Sequence, residues 1–230
     1  MAKKILLTLL LSFFSLTALA DASQPSTKSS TEGYWDEYYR NTLNEEKPRY
    51  TLLLAQQYFN LDNKTPGLAV DLGAGTGRDT LFLLRKGWNV HAIDAEPLSI
   101  EIILNRTETE NPQHLETSIS SFANMVLPDN IDLVNASFSL PFCPSEDFSE
   151  CWNNIVDHLA VGGRFAGQLF GDRDEWAAGS SGTFHTHEQM LQLFEDHFVI
   201  EYLQIEEGLL PTAVGPMKHW HIYHVVARKK

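Results

Sequence analysis

Apolar positions along this chain fall into short blocks whose internal spacing alternates between two periods. Leu68-Ala69-Val70 and the stretch 131–136 are nearly continuous apolar runs of strand length, the pattern of strands buried on both faces of a parallel sheet. Residues 88–93, 118–122 and 164–170 supply further strand-like stretches. Between them lie helical patterns. Residues 48–59 offer Leu52, Leu53, Ala55, Gln56 and Phe59 as a face. Residues 76–86 read as a helix stopped by Gly87, residues 97–105 as the next, and residues 149–159 as another. Thr183 or Thr186 is placed to cap a helix over 188–194. Residues 198–204 and 220–227 alternate in the manner of an antiparallel pair. This order predicts an α/β fold: a doubly wound, mostly parallel sheet with helices on both faces and an antiparallel edge strand.

The chemistry concentrates where the first strand stops. Val70-Asp71-Leu72 runs into Gly73-Ala74-Gly75-Thr76-Gly77, and the next strand ends on Asp94. Glycines at alternate positions tolerate positive φ and let backbone N–H groups approach a ligand closely. An acid at the tip of the second strand is placed to accept hydrogen bonds from a ribose diol. The layout is a nucleoside pocket at the carboxyl edge of the sheet. A dinucleotide fingerprint would be G-x-G-x-x-G, whereas this chain has Gly73-x-Gly75-x-Gly77 with Arg78 three after Gly75. A pyrophosphate wants its charge over a helix N-terminus. Asp71 beside the loop disfavours that anion and suits an ammonium group, which argues against an NAD-dependent oxidoreductase.

The string Asp71-Leu72-Gly73-Ala74-Gly75-Thr76-Gly77 with Asp94 resembles motif I and the second-strand acid of the class I S-adenosylmethionine (SAM)-dependent methyltransferases. The resemblance extends through Gly87-Trp88-Asn89-Val90, 131–138 and Leu159-Ala160-Val161-Gly162-Gly163-Arg164-Phe165, and is nearest to the small-molecule branch that includes tellurite-resistance-type enzymes. It implies a Rossmann-like methyltransferase fold with SAM as cofactor, Asp71 at its amino acid end and Asp94 on its ribose. By the same resemblance Trp35 lids the pocket, Ala74, Thr76 and Ala95 line it, and Asn135 borders it. Ser121 and Phe122 replace the acid that usually meets the adenine amino group. Glu96 is a further ribose candidate, and Arg49 is placed to reach a ligand carboxylate.

The methyl acceptor belongs over the ends of the fourth and fifth strands, near Asn135, Ser137, Phe138, Pro141 and Phe142. Asn135-Ala136-Ser137-Phe138 lacks the N-P-P-[YF] signature of amino-group methylation on bases or glutamine, so a small-molecule acceptor is expected. Asp172, Arg173, His185 and His219 are candidates for catalytic work there. Arg173 would suit an anion, and an imidazole can serve as a general base. On a strand, His219, His221 and Tyr223 share one face, and Trp220, Ile222 and His224 the other. The alternative to an enzyme is an exported protein that binds SAM without catalysis.

Charge and the N-terminus complete the picture. The net charge of −13 disfavours nucleic acid and anionic membranes as partners. Lys3-Lys4, an uncharged apolar stretch and Ala18-Leu19-Ala20 form the layout of a secretory signal peptide over 1–20, with cleavage after Ala20. Residues 21–32 are Ser/Thr-rich and read as a disordered linker, leaving 33–230 as the domain. The expected location is therefore the periplasm or outside the cell, with no stable membrane insertion after cleavage. Cys143 and Cys151 are the only cysteines, and no C-x-x-C pair suggests a metal site.

Overall fold

A computed structural model describes residues 29–230 apart from Thr109. The expected signal peptide and most of the linker lie outside the described residues. Helix α1, Ser29–Thr42, begins four residues before the expected domain start. It is followed by α2, Tyr50–Leu61, and β1, Leu68–Leu72. Then come α3 (Arg78–Arg85), β2 (Asn89–Asp94), α4 (Pro97–Thr107), β3 (Leu115–Ile119) and β4 (Ile131–Ala136). The chain closes with α5 (Phe148–His158), β5 (Leu159–Gly171), β6 (Phe184–His185), α6 (His187–Glu195), β7 (Phe198–Pro211) and β8 (Met217–Lys229).

The sheet order is β3-β2-β1-β4-β5-β8-β7, with β6 beside the end of β5. Strands β1 to β6 pair in parallel, while β8 runs antiparallel to both β5 and β7. This is the expected α/β architecture. The order reverses between β1 and β4, so a crevice opens at their carboxyl ends, where open α/β sheets bind ligands. Buried side chains cover both faces. One cluster joins β1, β4 and β5 to α5 and α6 through Trp152, Phe165 and Phe194. The other joins α2 and α3 to the opposite face through Leu52, Phe59, Leu83 and Trp88. Among the described residues no helix is long and apolar enough to cross a membrane.

Several boundaries differ from those expected. The third strand ends at Ile119, opposite Asp94 of β2, so Ser121 and Phe122 sit beyond it in a loop and a short 3-10 turn. Strand β5 starts at Leu159, because the chain pairs with Ile131 before bulging out and rejoining β4 at Arg164. Strands β7 and β8 extend well past the alternating stretches, since a long two-stranded ribbon continues beyond the core. Phe184-His185 forms the short strand β6 rather than a helix start. Thr186 supplies the α6 cap in a reciprocal capping box with Gln189. Cys143 and Cys151 are both buried as free thiols.

One buried charge ties three elements together. Arg164 is 1% exposed, and its Nη2 donates to Asp62 at 2.6 Å and its Nε to Glu201 at 2.7 Å. Its guanidinium lies 4.7 Å from the centre of the Phe59 ring. The pairing joins the end of α2 to β5 and β7. Removing one partner of a buried ion pair leaves the other side uncompensated. Arg164→Met is therefore expected to lower unfolding free energy by about 3 kcal/mol, read from urea denaturation.

Candidate active site

The site is built on the turn from β1 to α3. Gly73, Gly75 and Gly77 all have positive φ, at 62°, 57° and 75°. At two of them space is also lacking. A Cβ on Gly73 would stand 2.4 Å from the Ser139 Cβ, and one on Gly77 would stand 2.8 Å from Ile103 Cγ1. The turn hugs the end of β2: the Gly73 and Ala74 N–H groups both donate to the Ile93 carbonyl, at 2.8 and 3.1 Å. Gly75 N–H donates to Asp94 Oδ2 at 2.8 Å. The other Asp94 oxygen accepts from the Glu96 N–H at 3.0 Å and the Tyr39 hydroxyl at 3.1 Å. Burial and then the Asp94 charge push the Tyr39 phenol above its usual range, so it stays a donor.

Asp71 faces a different set of partners. It is 2% exposed. Thr80 Oγ1 donates to it at 2.6 Å and Asn135 Nδ2 at 2.8 Å. The same Asn135 amide reaches Asp79 Oδ2 at 3.1 Å. Burial, then the nearby Asp79 charge, raises the Asp71 pKa. Asp79 also accepts from the Arg49 N–H at 3.1 Å, which fixes the start of α2 against the loop. The Arg49 guanidinium lies 4.5 Å from the Phe138 ring centre. Its Nε is buried and finds no hydrogen-bond partner among the described residues. Burial, then Arg78, lowers the Arg49 pKa from its ordinary value.

These groups open into one cavity of about 710 Å³, within the usual range for small-molecule sites. Of the residues expected to hold the cofactor, Trp35, Asp71, Gly73, Ala74, Gly75, Thr76, Asp94, Ala95, Ser121 and Phe122 all line it. Gly77 and Asn135 do not. Gly77 starts α3 against α4, and Asn135 holds the two buried carboxylates from behind. The far half of the cavity is aromatic: Phe138, Phe142, Phe170, Trp176 and Trp220 line it, with Glu206 and the tip of the β7–β8 ribbon. Phe138 holds a φ of 55°, uncommon for a bulky residue, and its N–H is fixed by Gln168 Oε1 at 2.9 Å.

None of the four catalytic candidates lines this cavity. Strand β8 explains why. Its Trp220, Ile222 and His224 face is the one toward the cavity, so His219 points away and its N–H binds Glu175 at 2.9 Å. Arg173 forks onto Glu207 at 2.9 and 2.7 Å, and Asp172 lies 3.8 Å from Arg173. His185 is buried against Phe148, with ring centres 4.8 Å apart, and burial pushes its pKa down to about 4. Sequence reasoning placed the segment 171–176 over the acceptor, and Trp176 is the residue of it that lines the cavity, but it missed Trp220, Phe170 and Glu206. The alternation along β8 was a usable signal for Trp220, but nothing local marked which face would look inward.

The fold and the glycine loop define a doubly wound α/β domain of the class I methyltransferase architecture. The family model described as "Tellurite resistance protein TehB" matches residues 38–207, well over half of the chain, and the chain belongs to that family. A "Probable S-adenosyl-L-methionine-dependent methyltransferase TehB" of Haemophilus influenzae is 27% identical over 99 residues. That stretch is 43% of this chain and only 34% of the relative, so the match spans about a third of the relative's length. Among solved structures, TehB from Haemophilus influenzae superposes with a TM-score of 0.70 at 21% identity, covering 85% of this chain and 67% of that one. The 1,6-didemethyltoxoflavin-N1-methyltransferase of Burkholderia thailandensis, solved with S-adenosylhomocysteine, gives 0.59 at 18% identity, covering 90% and 92%. At such identities these structures establish the fold.

The buried Asp71 makes stability depend on pH. Its folded pKa is raised above the unfolded value, so its contribution is intact below the unfolded pKa and is lost as pH rises through the folded one. Asp71→Asn is expected to raise the melting temperature relative to the parent, by more at pH 8 than at pH 4. Thermal melts at the two values check the sign.

Proposed function

We propose that this protein is a SAM-dependent methyltransferase acting on a small-molecule acceptor. The observation that carries the reading is continuity: the glycine loop and Asp94 share one cavity with an open aromatic chamber. A protein that only bound the nucleoside would need no second chamber, which disfavours the non-catalytic alternative.

The residues present fit the group. Asp94 offers carboxylate oxygens to a ribose diol. Phe122 gives an apolar surface beside Ser121 for the purine. The buried, unpartnered Nε of Arg49 meets the need of an amino acid carboxylate, and Asp71 and Asp79 supply negative charge for the ammonium. Bound SAM supplies an activated methyl on a sulfonium, so the protein's work is alignment of two reactants and exclusion of water. Trp35, Tyr38 and Tyr39 of α1 cover the loop side. Phe138 stands between the two halves, held by Gln168 and Arg49. The Asn135 amide keeps Asp71 and Asp79 in register with the loop.

Calorimetry is the direct test. SAM and S-adenosylhomocysteine are expected to bind with micromolar dissociation constants and NAD not at all. Asp94→Ala, which removes a charged acceptor of hydrogen bonds, should weaken SAM by about 100-fold or more. Tight NAD binding would end the reading.

Export belongs to the same proposal. The layout of residues 1–20 supports a cleaved signal, which places the enzyme where SAM must be supplied by another compartment. N-terminal sequencing of protein from fractionated cells should give Asp21 as the first residue outside the cytoplasm. A cytoplasmic product starting at Met1 or Ala2 would refute export and leave the chemistry intact.

A further inference from the structure

The acceptor chamber carries a chemical specification of its own. Its walls are the rings of Phe138, Phe142, Phe170, Trp176 and Trp220, which meet in edge-to-face and tilted contacts. Phe170 and Trp220 centres are 5.5 Å apart at 71°, and Phe138 and Trp220 are 6.4 Å apart at 84°. The ribbon tip adds Leu210, Pro211 and Ala213. The charged side chain that enters this half from the sheet is Glu206.

Arg49 and Arg78 line the cavity on the glycine-loop side, Arg49 beside Asp79 and against the Phe138 ring at the border between the two halves, while the two cations nearest the other rings are turned out of the chamber. Arg173 is committed to Glu207 on the opposite face of the ribbon. Lys218 is buried behind the rings, paired with Asp174, and its ammonium lies 3.9 Å from the Trp220 ring centre and 4.1 Å from that of Trp176. Neither cation lines the cavity. A free oxyanion would therefore meet a carboxylate and the negative faces of aromatic rings. A cationic acceptor fares little better. The π systems of Trp176 and Trp220 already serve one cation from behind, which weakens them for a second. What the chamber accepts without penalty is a neutral, flat ring.

Glu206 is also oriented, by a chain of hydrogen bonds that starts at the backbone. The Gln168 amide oxygen accepts from the Phe138 N–H at 2.9 Å, which fixes the amide's direction. Its Nε2 then donates to Thr51 Oγ1 at 3.0 Å and faces His224 Nδ1 at 3.4 Å. That nitrogen must accept, so the imidazole carries its proton on Nε2, 2.9 Å from Glu206 Oε2. One Glu206 oxygen is thereby held, and the other is left to take a hydrogen bond from whatever lies in the chamber.

The geometry points to a neutral, planar heteroaromatic acceptor whose ring N–H is read by Glu206, with His224 and Gln168 as positioning residues. The inference rests on the methyltransferase reading for the transfer itself. There, an imine-type ring nitrogen uses its in-plane lone pair to form the new C–N bond. The C–S bond breaks with its electron pair kept by sulfur, and the N–H proton passes to the Glu206 carboxylate.

Binding probes test the recognition without turnover. Full-length protein saturated with S-adenosylhomocysteine is titrated with benzimidazole, 1-methylbenzimidazole, benzylamine and sodium tellurite, following tryptophan fluorescence and heat. Benzimidazole is expected to bind at least tenfold more tightly than its N-methyl analogue, and both more tightly than benzylamine or tellurite. Glu206→Ala should bring the first two within about twofold of each other. His224→Leu should do the same, while His224→Gln, whose amide can donate to the same carboxylate, should restore the preference. Circular dichroism confirms that each variant is folded. Preferential binding of tellurite or benzylamine, no discrimination by the N–H, or discrimination that survives Glu206→Ala would overturn the assignment. Failure of S-adenosylhomocysteine to bind would instead defeat the methyltransferase reading, and the same probes on the free protein would still judge the chamber.

Discussion

The hydrogen bond from Gly75 N–H to Asp94 is the contact on which the site depends. It fastens the loop after β1 to the tip of β2, so two separate strand ends become one surface. The two N–H groups on the Ile93 carbonyl reinforce the link. Tight quarters at Gly73 and Gly77 then seat the loop against Ser139 and α4. The result is backbone that curls around a carboxylate, with side-chain bulk removed where a ligand must approach. Everything else in the cavity is positioned relative to that curl.

Strand β8 makes the second division of labour. By inserting antiparallel between β5 and β7, it extends the sheet past the parallel core and sends alternate side chains to opposite faces. One face carries Trp220 and Ile222 into the cavity. The other carries His219 and His221 to a polar patch with Arg173 and Glu207. Chemically attractive residues thus ended up outside the chamber, and apolar ones inside it. The buried Lys218–Asp174 pair braces the rings from behind, and Asp174 also accepts the His221 N–H at 3.1 Å, so the charge is neutralised where it sits.

How much of this was legible in the sequence follows from distance along the chain. Asp71 to Gly77 and Asp94 form a local unit in which loop, helix start and strand end are fixed by nearest neighbours, and most of its residues line the cavity as expected. The acceptor half is assembled from Phe138, Trp176, Glu206 and Trp220, spread over the second half of the chain. No short pattern announces that these converge, because their meeting depends on the register of β5, β8 and β7. The four catalytic candidates were chosen for their functional groups, and groups alone do not say which face of a strand is inward. The third strand was misplaced for a related reason: Leu115 to Ile119 is only partly buried, so its apolar signal is weak, and the pairing of Ile119 with Asp94 sets its end.

The Tyr39 hydroxyl shows how the pocket can select as well as hold. In this structure it occupies part of the acceptor capacity of Asp94, alongside two backbone donors. A ligand that reaches this carboxylate with one hydroxyl only exchanges one hydrogen bond for another, which nets little in water-exposed terms. A ribose presents two hydroxyls side by side, so it can replace the phenol and still add a donor. The gain is confined to ligands with a diol at that spacing. On the proposed reading helix α1 would contribute to specificity through the bond that the ribose replaces, and Trp35 and Tyr38 on the same helix line the loop side of the cavity.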